Sequence, residues 1–125
     1  MKITFIAHSA FLVEWDKFYT LFDYVYEPDY TGTLPPLDPQ KPLLVFSSHS
    51  HEDHFDGKVF GLLEQYPLTQ FFVSRDTRLT ERRRKWLGIS DEAFARTTVL
   101  RPDSILLTDV AGEDLSIRAI KSTDI

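Results

Sequence analysis

The chain has 125 residues, with 42% hydrophobic and 14% aromatic content and a formal net charge of −5. That composition is too apolar for disorder and sufficient for one folded domain over residues 1–125. The acidic balance argues against a general nucleic-acid binder, though not against a local basic patch, and the absence of cysteine excludes disulfides and thiolate metal sites.

Three strand-like runs open the chain: Ile3 to Ala7, Phe11 to Trp15 and Phe18 to Phe22. Asp16-Lys17 reads as a tight hairpin turn between the second and third. The first residues lead straight into a polar, histidine-bearing segment, without the apolar stretch of a signal peptide. No run approaches the roughly 20 apolar residues that span a bilayer, so the cytoplasm is the default compartment. Glu27 to Pro42 holds five of the seven prolines and predicts a loop, either a plain surface connection or a cover over a site mouth.

Leu43 to Phe46 is short, wholly apolar and bounded by turn formers, which predicts a central strand buried on both faces. Beyond it, Phe55, Val59, Leu62, Leu63 and Tyr66 form a helical stripe that ends at Pro67. Gln70 to Ser74 predicts another strand. Asp76 can cap a helix running to about Leu87, with Gly88 as its stop, and a short helical segment follows near Asp91 to Ala95. Thr97 to Leu100, Ile105 to Thr108 and Leu115 to Ile120 look like strands of a second antiparallel set. Arg82-Arg83-Arg84-Lys85 is the one basic run; on a helix it fans around a solvated face, with a phosphate or nucleic-acid patch as the alternative.

The densest chemistry lies between the central strand and the helical stripe. His49-Ser50-His51-Glu52-Asp53-His54 holds three of the chain's four histidines. Imidazole is the commonest side-chain metal ligand, and carboxylate also suits zinc. Two apart on an extended segment, His49 and His51 point to one side and can grip one ion. If the chain turns after His51, Asp53 and His54 can reach a second point nearby, a pattern suited to two neighbouring ions. A serine nucleophile (Ser47, Ser48 or Ser50) beside a histidine is a weaker reading, because neighbours in a turn rarely align hydroxyl and imidazole. His8 reads as a structural hydrogen-bonder.

The H-x-H-x-D-H pattern directly after a buried strand resembles the signature of the metallo-β-lactamase fold superfamily. His8-Ser9-Ala10-Phe11-Leu12-Val13-Glu14 is similar to the opening of its branch of lactonase-like and uncharacterised hydrolases. Leu21-Phe22-Asp23 is similar to the strand end before that branch's metal loop, and Lys121-Ser122-Thr123-Asp124 falls where the family places its next ligand loop. The resemblance covers the N-terminal half of the family's domain. It implies an α/β (α+β) αββα sandwich with a mixed, mainly antiparallel sheet and flanking helices. It also implies that His49 and His51 bind one metal and that Asp53 and His54 bind a second. With one metal only, Asp53 would orient the nucleophilic water. Asp124 is the oxygen donor offered where the family has a third histidine, since no histidine follows His54.

The function so implied is a metal-dependent hydrolase of the cytoplasm. One or two zinc ions, or iron or manganese in their place, would supply a metal-bound hydroxide against a small ester, lactone, amide or phosphoester. The alternatives are a metal-binding module without turnover, or a nuclease of the same fold. A half-sandwich would expose an apolar face, which a homodimer would cover.

Overall fold

The computed structural model describes residues 1–7, 10–24, 34–48 and 57–120. Among the described residues, eight strands and three short helices follow in order: β1 (Lys2–Ala7), β2 (Ala10–Glu14), β3 (Tyr19–Phe22), β4 (Leu43–Ser47), α1 (Leu62–Gln65), β5 (Thr69–Ser74), α2 (Glu81–Trp86), α3 (Asp91–Ala95), β6 (Thr97–Leu100), β7 (Ile105–Val110) and β8 (Glu113–Arg118). The first six strands form one sheet in the order β1-β2-β3-β4-β5-β6, and β7 and β8 pair separately. The molecule is thus a mixed α/β protein with a mixed sheet and few helices.

β1, β2 and β3 pair antiparallel, whereas β3-β4, β4-β5 and β5-β6 are parallel. The expectation of a mainly antiparallel sheet is therefore corrected for the large sheet. β6 extends that sheet beside β5 rather than joining a second antiparallel set; only β7 and β8 make that set. The reason lies in the connections. The crossover through α2 and α3 returns the chain to the same edge as a parallel neighbour, and a tight turn at Ala111-Gly112 then folds β7 onto β8. Ala111 and Gly112 both have positive φ, of 53° and 82°. Consecutive left-handed residues are what a two-residue hairpin with right-handed strand twist requires.

Strand alternation divides the core into two layers. Leu12, Leu21, Leu43, Val45, Phe71 and Val73 pack with Val59, Phe60, Leu62, Leu63, Leu79, Ile89 and Ala93 from the helical side. Leu44 and Phe72 face the opposite way, packing with Phe18 and Val110 and with half-buried Phe46, Leu106, Leu115 and Ile117. The layers are helices, six-stranded sheet and β-hairpin. β4 lies at their centre, with Leu43, Leu44 and Val45 all buried, as its apolar run predicts.

On the hairpin side a row of phenylalanines crosses the sheet. Register places Phe5 opposite Phe11, Phe11 opposite Phe22, Phe22 opposite Phe46 and Phe46 opposite Phe72. Phe22, Phe46 and Phe72 stack at successive centroid distances of 5.0 Å, and Phe5 meets Phe11 edge to face at 5.5 Å. The hairpin covers one end only: Phe72 is 3% exposed, Phe22 36%, Phe11 42% and Phe5 62%.

The helices are shorter than the sequence pattern suggests. The stripe at Val59, Leu62, Leu63 and Tyr66 is buried as expected, but Gly57–Gly61 is a 3-10 turn and only Leu62–Gln65 is α-helical; Phe55 lies outside the described residues. The helix expected from Asp76 begins only at Glu81. Arg75–Thr77 is a separate 3-10 turn closed by Arg78 at φ 53°, and Thr80 is the N-cap, its Oγ1 accepting from Arg83 N at 3.2 Å. Gly88 stops α2 at φ 76°: Gly88 N donates to Lys85 O and Ile89 N to Arg84 O, the paired bonds of a Schellman stop. α3 spans the expected residues, with Ser90 Oγ accepting from Ala93 N at 3.1 Å.

The β3–β4 crossover contains no helix among its described residues, 34–42. Tyrosine hydroxyls hold it instead: the Tyr66 hydroxyl accepts from Leu37 N at 3.4 Å and that of Tyr19 from Asp38 N at 3.0 Å. Burial pushes the Tyr24 phenol above its ordinary 10.0, opposed by a backbone hydrogen bond from Leu34 and helped by nearby Tyr66. Among the described residues, no helix is long and apolar enough to cross a membrane.

Candidate functional site

The parallel strands β3, β4 and β5 all end at one edge of the sheet, where open α/β sheets usually place their ligands. Phe22 is opposite Phe46 and Ser47 opposite Val73, so Asp23 and Ser48 leave the sheet close together, beside Ser74, the last residue of β5. Ser48 is the last described residue before the histidine-bearing hexapeptide.

The departure from β4 is anchored. Asp23 Oδ1 accepts from Ser48 N and Oδ2 from Ser48 Oγ, each at 2.7 Å. Asp23 N in turn donates to Phe46 O at 2.8 Å, which continues the β3-β4 ladder one step past the strand. Asp23 is 9% exposed, and its two carboxyl oxygens are both met by Ser48. Its φ is 51°, a left-handed conformation that aspartate tolerates better than most residues. The turn aims the carboxylate back across the end of β4, where an extended residue would carry it onward. The chain direction of Ser48, and so the origin of the segment that follows, is set by a residue 25 positions earlier.

His49, His51, Asp53, His54 and Asp124, like His8, lie outside the described residues. Among the described residues, no group of three or more His, Asp or Glu side chains is arranged to hold a metal ion. The resemblance places Asp23 at the strand end before the metal loop, but no motif in the sequence announces its carboxylate bonds to Ser48. The available signal was an acidic residue directly after an apolar strand, followed later by a serine at the end of the central one.

The basic run divides by role. Arg84 is a structural residue: its guanidinium lies 2.5 Å from both Glu81 Oε1 and Asp91 Oδ1, donates to Ile89 O at 3.2 Å and sits 5.4 Å from the Phe94 ring centroid. With a side chain only 11% exposed, it clasps the start of α2 to the loop and the start of α3. The hydrogen bond from Arg84 holds the Glu81 carboxyl below its ordinary value, and the Glu81 partner holds Arg84 above its own. Arg82 is solvent-exposed and Arg83 half-buried.

No family model matches the chain, and a search of curated proteins finds no match.

Proposed function

We propose that the chain is a metal-dependent hydrolase of the metallo-β-lactamase type, with His49, His51, Asp53 and His54 as its ligand set and Asp124 as a further oxygen donor. The observation that carries the reading is the start of this set directly after the central parallel strand, one residue beyond the serine that Asp23 ties down. The layering supports it: helices cover one face of the sheet and a β-hairpin begins a layer on the other. Three imidazoles and a carboxylate suit one or two zinc ions, and iron or manganese would also be accepted. Bound there, the metal supplies Lewis acidity and a nucleophile at neutral pH. Asp23 positions the strand end from which the ligands start, and Asp53 either ligates or orients water. The substrate class is a small molecule with an ester, lactone, amide or phosphoester bond.

Metal content of the purified chain tests the proposal, by elemental mass spectrometry beside a His49→Ala/His51→Ala double mutant. One or two equivalents in the parent, lost in the mutant, is the expected result. No metal in either would remove hydrolysis from this chain.

A further inference from the structure

Six of the chain's fourteen lysines and arginines fall within residues 75–86, beside only two acids, although the protein as a whole is acidic. Arg84 is committed to Glu81 and Asp91, and Lys85 lies 3.8 Å from Glu81. Among the described residues, Arg75, Arg78, Arg82 and Arg83 stand in no ion pair; Lys41, Arg101 and Arg118 stand in none either but lie singly along the chain, whereas these four fall within nine positions. Arg75, Arg78 and Arg82 are exposed and Arg83 is half-buried, so this stretch concentrates positive charge in a chain of nineteen acids.

Trp86 ends α2 and is 82% exposed, against 41% for Trp15. No residue of α2 is buried; the segment is held by Leu79 and Ile89 at its two ends and by the Arg84 clasp. Trp86 follows Arg82 by four positions and Arg83 by three, so the indole and these guanidinium groups are neighbours on the helix surface. At the other end of the run, Arg75 follows Ser74 at the sheet edge where Ser48 also departs.

We propose that α2 and the turn before it form a binding surface for single-stranded nucleic acid, with Trp86 as a stacking platform and Arg75, Arg78, Arg82 and Arg83 as phosphate contacts. The planar guanidinium fork pairs two of its donors with a phosphate, and an exposed indole offers its face to any unstacked base. A duplex would keep its bases from that face. An anionic bilayer would need several apolar side chains beside Trp86, and the residues one helical turn before it, Arg82 and Arg83, are basic. The surface is inferred for binding alone and is independent of the metal reading.

The test is fluorescence anisotropy of a labelled oligothymidylate of about 15 nucleotides, within the usual range of single-strand site sizes, titrated with the full chain at several salt concentrations. Binding should weaken with salt by a log–log slope of about −0.7 for each phosphate neutralised. Arg75→Ala/Arg82→Ala should make that slope shallower by about 1.4. Trp86→Ala should weaken binding by about tenfold. Arg118→Ala, on β8 of the separate hairpin, should change neither. All three substituted side chains of the surface are exposed, and circular dichroism verifies the fold of each variant. The proposal is overturned by absence of binding at low salt, by variants that bind as the parent does, or by capture on phosphatidylserine vesicles that the oligonucleotide does not reverse.

Discussion

Asp23 combines an unfavourable backbone conformation with two strong acceptor positions, and substitutions separate the two. Asp23→Gly removes the carboxylate but relaxes the left-handed φ; Asp23→Ala removes the carboxylate and retains the strain. Urea unfolding should show the alanine variant less stable than the glycine variant by about 1 kcal/mol, and both less stable than the parent by about 1–3 kcal/mol for the lost charged hydrogen bonds. Under the metal reading both should also bind metal 10–100-fold more weakly, roughly the effect of losing an outer-shell contact. Glu81 gives a prediction in pH. Its folded-state carboxyl titrates below the ordinary 4.5, so its contribution is present above 4.5 and disappears as pH falls through the lower folded value. Melting temperatures of the parent and Glu81→Gln should converge as pH falls below 4.5; a constant gap would refute the ion pair's role.

At the scale of elements, the two described glycines next to helices should respond in opposite directions. Gly61 sits in a right-handed conformation, φ −67°, and a Cβ added there would meet nothing within 4 Å among the described residues, so Gly61→Ala should stabilise by about 0.5–1 kcal/mol. Gly88 has equal space but a φ of 76°, so Gly88→Ala should destabilise by about 1–2 kcal/mol. Thermal denaturation of both variants checks the pair. The same contrast shows what local sequence encodes. Apolar runs marked β3, β4 and β5, and the glycine stop of α2 was legible. The left-handed turn at Arg78 was not, because arginine carries no signal for positive φ, and this turn is what delays α2 from Asp76 to Glu81. The pairing of β6 was also hidden. Thr97 to Leu100 reads equally well in either direction, and its parallel partner was set by the length of the α2–α3 crossover.

Across the whole molecule, apolar surface is distributed unevenly. The hairpin buries Phe72 and part of Phe46, while Ile3, Phe5 and Phe11 remain on the uncovered part of the same sheet face; Ile105 and Leu107 point outward from the hairpin. Phe5 and Phe11 are the rings of the phenylalanine row that this face leaves most open. The native chain should therefore enhance the fluorescence of an apolar dye such as ANS. Phe5→Ser/Phe11→Ser should reduce that signal with little loss of melting temperature, because these rings are 62% and 42% exposed already. The candidate ligand set was legible as a motif because its members are adjacent in sequence. Its support at Asp23 was not, because hydrogen bonds across 25 residues leave no local pattern.

The Asp23–Ser48 bond also bears on the order of assembly. β3 and β4 are parallel and joined by a crossover of about twenty residues, so their ends meet only after a non-local loop closes. A hairpin such as β7-β8 can form early; the Ser48 anchor cannot. Before that closure the end of β4 is unanchored, and afterwards Ser48 is held by the Asp23 carboxylate. The Ser48 amide, held by Asp23, should exchange its proton only when this edge of the sheet opens.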